Sequence, residues 1–226
     1  MIKGTIKLSP TTGLGLFSNC PKCFWLHYNH KIQRPRGIFP SLPGGMDLVI
    51  KTYFDKYRGF LPPEIDGHVE GVLLDDFNLM EKWRNWRTGL EYEDENRDAV
   101  LFGALDDCLV LGGKYIPLDY KTRGSSPREG DSEKYYQAQL DTYALLLEEN
   151  GYSAGSFAYL VYYYPKEVME NGMVQFDIKP VKVETDLARA KKRFEDAVDL
   201  LRGPMPKKHS DCEYCSWASS RFVFEN

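Results

Sequence analysis

Two apolar runs joined by a glycine pair constrain this chain more than any other feature. The first runs Gly103-Ala-Leu-Asp106-Asp-Cys-Leu-Val-Leu111, the pair is Gly112-Gly113, and the second runs Lys114-Tyr-Ile-Pro-Leu-Asp119-Tyr-Lys121-Thr122. A Gly-Gly dipeptide between β-type runs is a tight-turn signal, so the spacing predicts a hairpin with one acid on each arm. A carboxylate on a central strand is costly unless something compensates it. Asp106 and Asp119 together suggest a cation as the compensation. Mg²⁺ or Mn²⁺ takes oxygen ligands and keeps several waters, so a few carboxylates suffice. The backbone carbonyl of Tyr120 offers another oxygen. Lys121 lies two residues past Asp119, hence on the same strand face. It can position or deprotonate a water, or stabilise charge building on a phosphorus centre. This is the minimum apparatus for metal-assisted phosphodiester hydrolysis.

The 226 residues suit a single domain, and the 42% hydrophobic and 14% aromatic content can fill its core. The reading is one domain over 1–226, with 1–45 and 203–226 forming an appendage. No run approaches the roughly 18 apolar residues of a membrane span. The first residues lack a long apolar signal region. A cytoplasmic protein with no membrane partner is expected. The net charge of -4 is not that of a general nucleic-acid binder, which is usually basic.

Periodicity and breakers set the element order. Ser9-Pro10-Thr11-Thr12 looks like a capped helix start. Prolines make 33–45 a loop, and helical spacing covers Gly45–Arg58. Residues 59–71 read as irregular, and a short helix fits Phe77–Trp86. Strands are expected at 89–94, 98–111 and 114–121, a helix at Tyr135–Glu149, and strands at 155–164 and 174–183. An amphipathic helix covers Glu184–Leu201, stopped by Gly203-Pro-Met-Pro. This order predicts an α/β fold with a mixed central β-sheet flanked by helices.

Five cysteines are present, four of them as Cys20-Pro-Lys-Cys23 and Cys212-Glu-Tyr-Cys215. Paired Cys-x-x-Cys spacing favours a metal over disulfides, and one shared site would staple the N-terminal segment to the C-terminal one. Four thiolates fit Zn²⁺ by their spacing and an iron–sulfur cluster by their number. Cys108 reads as an inert core thiol. The four histidines show no ligand spacing.

Taken together, Gly103-x-x-Asp106, Asp119-x-Lys121-Thr and Gln139-x-x-x-Tyr143 resemble the PD-(D/E)XK nuclease superfamily, in particular its RecB-like branch. That branch includes nuclease domains of bacterial recombination enzymes and CRISPR-associated RecB-like exonucleases. The opening Leu8-Ser-Pro-Thr…Phe17-Ser-Asn-Cys20 and the closing cysteine region resemble it too. The resemblance implies a restriction-endonuclease-like core. It also implies metal binding by Asp106 and Asp119 and catalysis by Lys121, with Gln139 and Tyr143 beside the active site, touching DNA or orienting Lys121. Gln139 and Tyr143, at i and i+4, share a helix face. The branch commonly carries a histidine ligand on an upstream helix. Here Asp47 stands in its place, as an oxygen ligand or as a helix-start charge. The branch usually holds a [4Fe-4S] cluster with one N-terminal and three C-terminal cysteines, whereas this chain has two and two. Either [4Fe-4S] or Zn²⁺ stays open.

Arg123, Arg128 and Lys134 flank the Gly124-Ser-Ser-Pro127 break and can hold phosphates. Tyr135 and Tyr136 can stack on bases of a single strand. Trp83, Arg84, Trp86 and Arg87 form a second basic–aromatic group. The expected function is a Mg²⁺- or Mn²⁺-dependent deoxyribonuclease, an exonuclease on single-stranded DNA ends. Its expected setting is repair, recombination or CRISPR-type processing, with protein partners there. The alternative is a DNA-binding or assembly subunit that keeps the fold without cleaving.

Overall fold

The computed structural model describes residues 4–35, 37 and 41–225. Strand β1 (Ile6–Leu8) leads through a π-helical turn (Pro10–Leu14) into α1 (Gly15–Asn19) and α2 (Pro21–His30). Helix α3 (Ser41–Phe54) and a 3₁₀ turn (Asp55–Tyr57) precede β2 (Val72–Leu73) and α4 (Phe77–Arg84). Strands β3 (Leu90–Asp94), β4 (Ala99–Gly103), β5 (Asp107–Leu111) and β6 (Lys114–Thr122) follow, then α5 (Asp131–Glu149). The chain continues through β7 (Phe157–Val168), β8 (Val174–Glu184), α6 (Leu187–Arg202) and α7 (Glu213–Glu225).

The main sheet has the order β2-β5-β6-β7-β8, and a smaller one the order β1-β4-β3. In the main sheet β6 and β7 are parallel, joined through α5, and the other neighbours are antiparallel. The expected α/β class with a mixed sheet and flanking helices is what the chain adopts. The β5–β6 hairpin closes at Gly112 (φ 54°) and Gly113 (φ 80°), the two positive φ angles that a type I′ turn needs.

The strand expected over 98–111 is two strands in different sheets. The break falls at 104–106. Leu105 N–H donates to the carbonyl of Trp83 (3.0 Å), and Arg84 Nε donates to the carbonyl of Asp106 (2.7 Å). The end of α4 therefore takes the backbone groups that a continuous ladder would have used, and Asp106 sits in the bend before β5. Gly103 closes β4 where α5 crosses it. A Cβ there would lie 2.7 Å from Leu146 Cδ1.

Three helix boundaries also differ. Residues 36 and 38–40 of the expected 33–45 loop lie outside the described residues, and from Ser41 the chain is already helical. Pro43 stands near the start of α3, where no intrahelical bond is lost. Helix α5 starts at Asp131, not Tyr135, after Gly130 (φ 79°); the Asp131 carboxylate ties down Arg128 N–H and the Arg123 guanidinium. Helix α6 starts at Leu187, capped by the Asp186 carboxylate, which accepts from Arg189 N–H at 3.0 Å.

Strand alternation sorts the main sheet's two faces. Leu118, Tyr120, Tyr159, Val161 and Tyr163 pack with Ile50 and Phe54 of α3. Ala158, Leu160 and Tyr162 pack on the other face with Leu140 of α5. Asp119 and Lys121, out of phase with Leu118 and Tyr120, fall on the α5 side.

Candidate active site and cysteine centre

Asp119 is 1% exposed, and its neighbours are the residues that share its face. Gln139 Nε2 donates to Asp119 Oδ1 (3.1 Å) and to the Tyr143 hydroxyl (2.8 Å), so the i,i+4 pair on α5 works as a unit around the carboxylate. Asp119 Oδ2 lies in ion-pair contact with Lys121 Nζ but takes no well-directed hydrogen bond. Burial pushes the Asp119 carboxyl up to about 7. Asp106 pushes the same way, against the pull of Lys121. Burial would pull the Lys121 ammonium down, but Asp119 and Asp106 outweigh it and hold it above the usual lysine value. The ammonium lies 4.8 Å from the centre of the Tyr136 ring.

Asp106 faces the same space from the bend. Its Oδ1 accepts from Lys51 Nζ at 2.7 Å, and the same ammonium reaches Asp47 Oδ2 at 2.8 Å. Burial lowers the Lys51 ammonium less than Asp106 and Asp47 raise it. No sequence motif marks Lys51 as a site residue. Its i,i+4 spacing from Asp47 was visible, but its partner Asp106 lies 55 residues away.

The next residue does something else. Asp107 is fully buried and accepts from Arg58 (2.6 and 2.7 Å), Arg84 (2.9 Å) and the Tyr120 hydroxyl (2.6 Å). Asp55 completes the network against both arginines. Tyr120 thus spends its side chain on the far face, and only its backbone can reach the site of Asp119.

The candidate substrate contacts divide. Arg123 pairs with Asp131 (2.8 Å) and sits 5.9 Å from the Tyr162 ring centre. Arg128 is exposed at the start of α5, and Tyr136 is half-buried beside Lys121. Lys134 and Tyr135 are exposed and stack on each other at 5.1 Å. The Trp83–Arg87 group is not the surface patch expected. Trp83 is 1% exposed and Arg84 is locked into the Asp107 network, because the buried face of α4 runs through both. Trp86 alone of the two tryptophans faces outward, with Arg87 against it at 4.9 Å.

The four cysteines meet. Cys23 Sγ lies 3.6 Å from Cys212 and 3.5 Å from Cys215, Cys20 lies 3.9 Å from Cys215, and all four sulfurs fall within 4.8 Å of one another. Each pair opens a helix, Cys20 capping α2 and Cys212 preceding α7. The site joins the N-terminal and C-terminal segments as expected. Burial pushes the Cys20 thiol up, but N–H groups of Cys23 and His209 with the neighbouring sulfurs bring it down to about 6. Arg34 donates to Cys212 Sγ at 3.6 Å. Burial holds the Cys23 and Cys215 thiols above the usual cysteine value, with neighbouring sulfurs adding to it, so of these three only Cys20 is drawn toward the thiolate that binds metals. Cys108 is buried on β5, with its thiol pushed up by that burial.

A family model described as the PD-(D/E)XK nuclease superfamily matches residues 60–220. No curated protein matches the chain. The matched span holds Asp106, Asp119, Lys121, Gln139, Tyr143 and the second cysteine pair, and begins after Asp47, Lys51 and the first pair. It carries metal-dependent nuclease chemistry as the activity class, with nucleic acid as the substrate class. Among the described residues no helix is long and apolar enough to cross a membrane.

Proposed function

The chain belongs to the PD-(D/E)XK nuclease superfamily, and from that premise we propose that it is a Mg²⁺- or Mn²⁺-dependent deoxyribonuclease working as an exonuclease on single-stranded DNA ends. The observation that carries the reading is Asp119: a buried carboxylate with an oxygen left without a directed partner, beside a second carboxylate and an ammonium. Hard carboxylate oxygens suit these cations. Asp106 and Asp119 would hold the ion, with the Tyr120 carbonyl as a further oxygen. When bound, the cation supplies Lewis-acid chemistry, polarising the phosphate and acidifying a water.

The chain's own groups do the rest. Lys121, against Asp119, orients the water and as an ammonium stabilises negative charge on the phosphoryl oxygens. Gln139 and Tyr143 fix the Asp119 carboxylate. Attack by water forms the new P–O bond as the P–O3′ bond breaks; the water releases one proton to solvent and the departing 3′ oxygen takes one up, leaving a 3′-hydroxyl and a 5′-phosphate. Arg123 and Arg128 bind flanking phosphates, and Tyr136 stacks a base next to Lys121. Processing of DNA ends in repair, recombination or CRISPR-type pathways, alongside protein partners, is the setting in which such an activity serves.

At the cysteine centre we propose Zn²⁺. Tetrahedral Zn–S bonds of ~2.3 Å place sulfurs roughly 3.8 Å apart, close to three of the separations here (3.5, 3.6 and 3.9 Å), with all four sulfurs within 4.8 Å. A cubane cluster would put each thiolate on a different iron and spread the sulfurs wider. That ion then closes the expected appendage where Cys20 and Cys23 meet Cys212 and Cys215.

The test uses end-labelled single- and double-stranded DNA with Mn²⁺ or with chelator, for the full chain and for Lys121→Ala. Metal-dependent cleavage that proceeds from single-stranded ends and falls by roughly 10²-fold or more in the variant supports the proposal. Equal cleavage by both proteins overturns it. DNA binding without cleavage by either would leave the assembly-subunit reading.

A further inference from the structure

Lys51 and Asp47 are charged groups at the site that the nuclease reading does not use. Lys51 is held on α3 between Ile50, 5% exposed, and Asp47 one turn earlier, and Phe54 anchors the next turn in the core. Its ammonium lies 2.8 Å from Asp47 and 2.7 Å from Asp106, both at hydrogen-bonding distance. Its side chain is only 20% exposed. A divalent ion shared by Asp47 and Asp106 would need the volume that this nitrogen fills. Asp106 keeps a second oxygen for an ion on the Asp119 side.

We propose that Lys51 is a built-in cation that occupies the position between Asp47 and Asp106 and so restricts the acidic site to a single divalent ion, held on the Asp106–Asp119 side. Asp47 is then the anchor that orients Lys51, not a metal ligand. Lys51 is a positioning residue that sets metal stoichiometry. The inference rests on the nuclease reading for the identity of the ion and goes beyond it in the number of ions.

The test is Mn²⁺ titration of the full chain with its cysteine site left loaded. Free Mn²⁺ is read by electron paramagnetic resonance and heat by calorimetry, without DNA and without an activity assay. Wild type takes up one Mn²⁺. Lys51→Met takes up two, with the spectral broadening of a coupled pair, and adding Asp47→Asn to it returns the count to one. Asp47→Asn alone changes the wild-type dissociation constant by less than threefold. Lys51→Gln is the second neutral variant should the methionine disturb folding, and it too takes up two. Two ions in wild type, one ion in both Lys51 variants, or a tenfold or larger loss of affinity in Asp47→Asn overturns the inference while leaving the nuclease reading in place. No Mn²⁺ uptake by wild type overturns both.

Discussion

Asp106 and Asp107 are consecutive in the chain and belong to different worlds: Asp106 turns to Lys51 at the edge of the site, while Asp107 turns into the core between Arg58 and Arg84. The backbone bend that separates them is held by Arg84, which bonds the Asp106 carbonyl and the Asp107 carboxylate at once. One arginine therefore couples the fold to the placement of the first candidate ligand.

Substitution separates the two roles. Asp107→Ala leaves two mostly buried guanidinium groups with Asp55 as their one remaining shared carboxylate among the described residues, and should cost about 3–5 kcal/mol. Asp106→Asn keeps a similar shape at a half-exposed position, and should stay within about 1 kcal/mol of wild type. Urea unfolding curves measure the first effect, and Mn²⁺ affinity shows the second variant's defect.

Gln139 touches no phosphate in this reading, yet it ties Asp119 to Tyr143. Partners that orient a metal ligand typically contribute 10–100-fold in affinity or activity. Gln139→Ala should weaken Mn²⁺ binding by about that factor while leaving the thermal transition nearly unmoved. A calorimetric titration beside a melting curve checks both halves.

The raised Asp119 carboxyl sets a pH window. With its value near 7 in the folded protein against an ordinary 3.8, a proton competes with the cation below neutrality. The apparent Mn²⁺ dissociation constant should rise about tenfold per unit as pH falls below 7, and flatten above it. The sign for stability is opposite. The metal-free fold gains from holding this proton fully below pH 4 and loses that gain as pH rises to 7. Melting temperature against pH, with and without Mn²⁺, should diverge across that interval.

The cysteine centre should contain one Zn²⁺ per chain and be colourless. Closing a connection of 189 residues between Cys23 and Cys212 corresponds to about 3–5 kcal/mol in chain-entropy terms. Cys23→Ser should therefore lose the zinc and lower Tm by roughly 10 °C. Elemental analysis and calorimetry decide it, and a brown protein containing iron would reverse the assignment.

Much of this site was legible because it obeys short periods. Asp119 and Lys121 share a strand face at a spacing of two, and Gln139 and Tyr143 share a helix face at a spacing of four, so local geometry brought each pair together. The cysteine pairs were legible through chemistry, since four thiolates in two short spacings have few other uses. What failed depends on distant partners. Nothing local distinguishes Asp106 from Asp107 in burial, because Arg58 and Arg84 decide it from other elements. The break after Gly103 was hidden because Ala104 and Leu105 continue an apolar run, and the hydrogen bonds that interrupt it come from α4. Trp83 and Arg84 looked like a surface patch for the same reason: composition does not say which side of a short helix is covered. Lys51 needed Asp106 to acquire meaning.

Lys51 and Lys121 place two ammonium groups among the three carboxylates of Asp47, Asp106 and Asp119, leaving one negative charge uncompensated when all are ionised. Uptake of one divalent cation inverts that sign. In the proposed nuclease a polyanionic strand, held at its flanks by Arg123 and Arg128, meets a net negative charge at this spot before uptake and a net positive one after it. In the proposed nuclease, cation uptake therefore reverses the local field that a strand meets, favouring uptake before engagement.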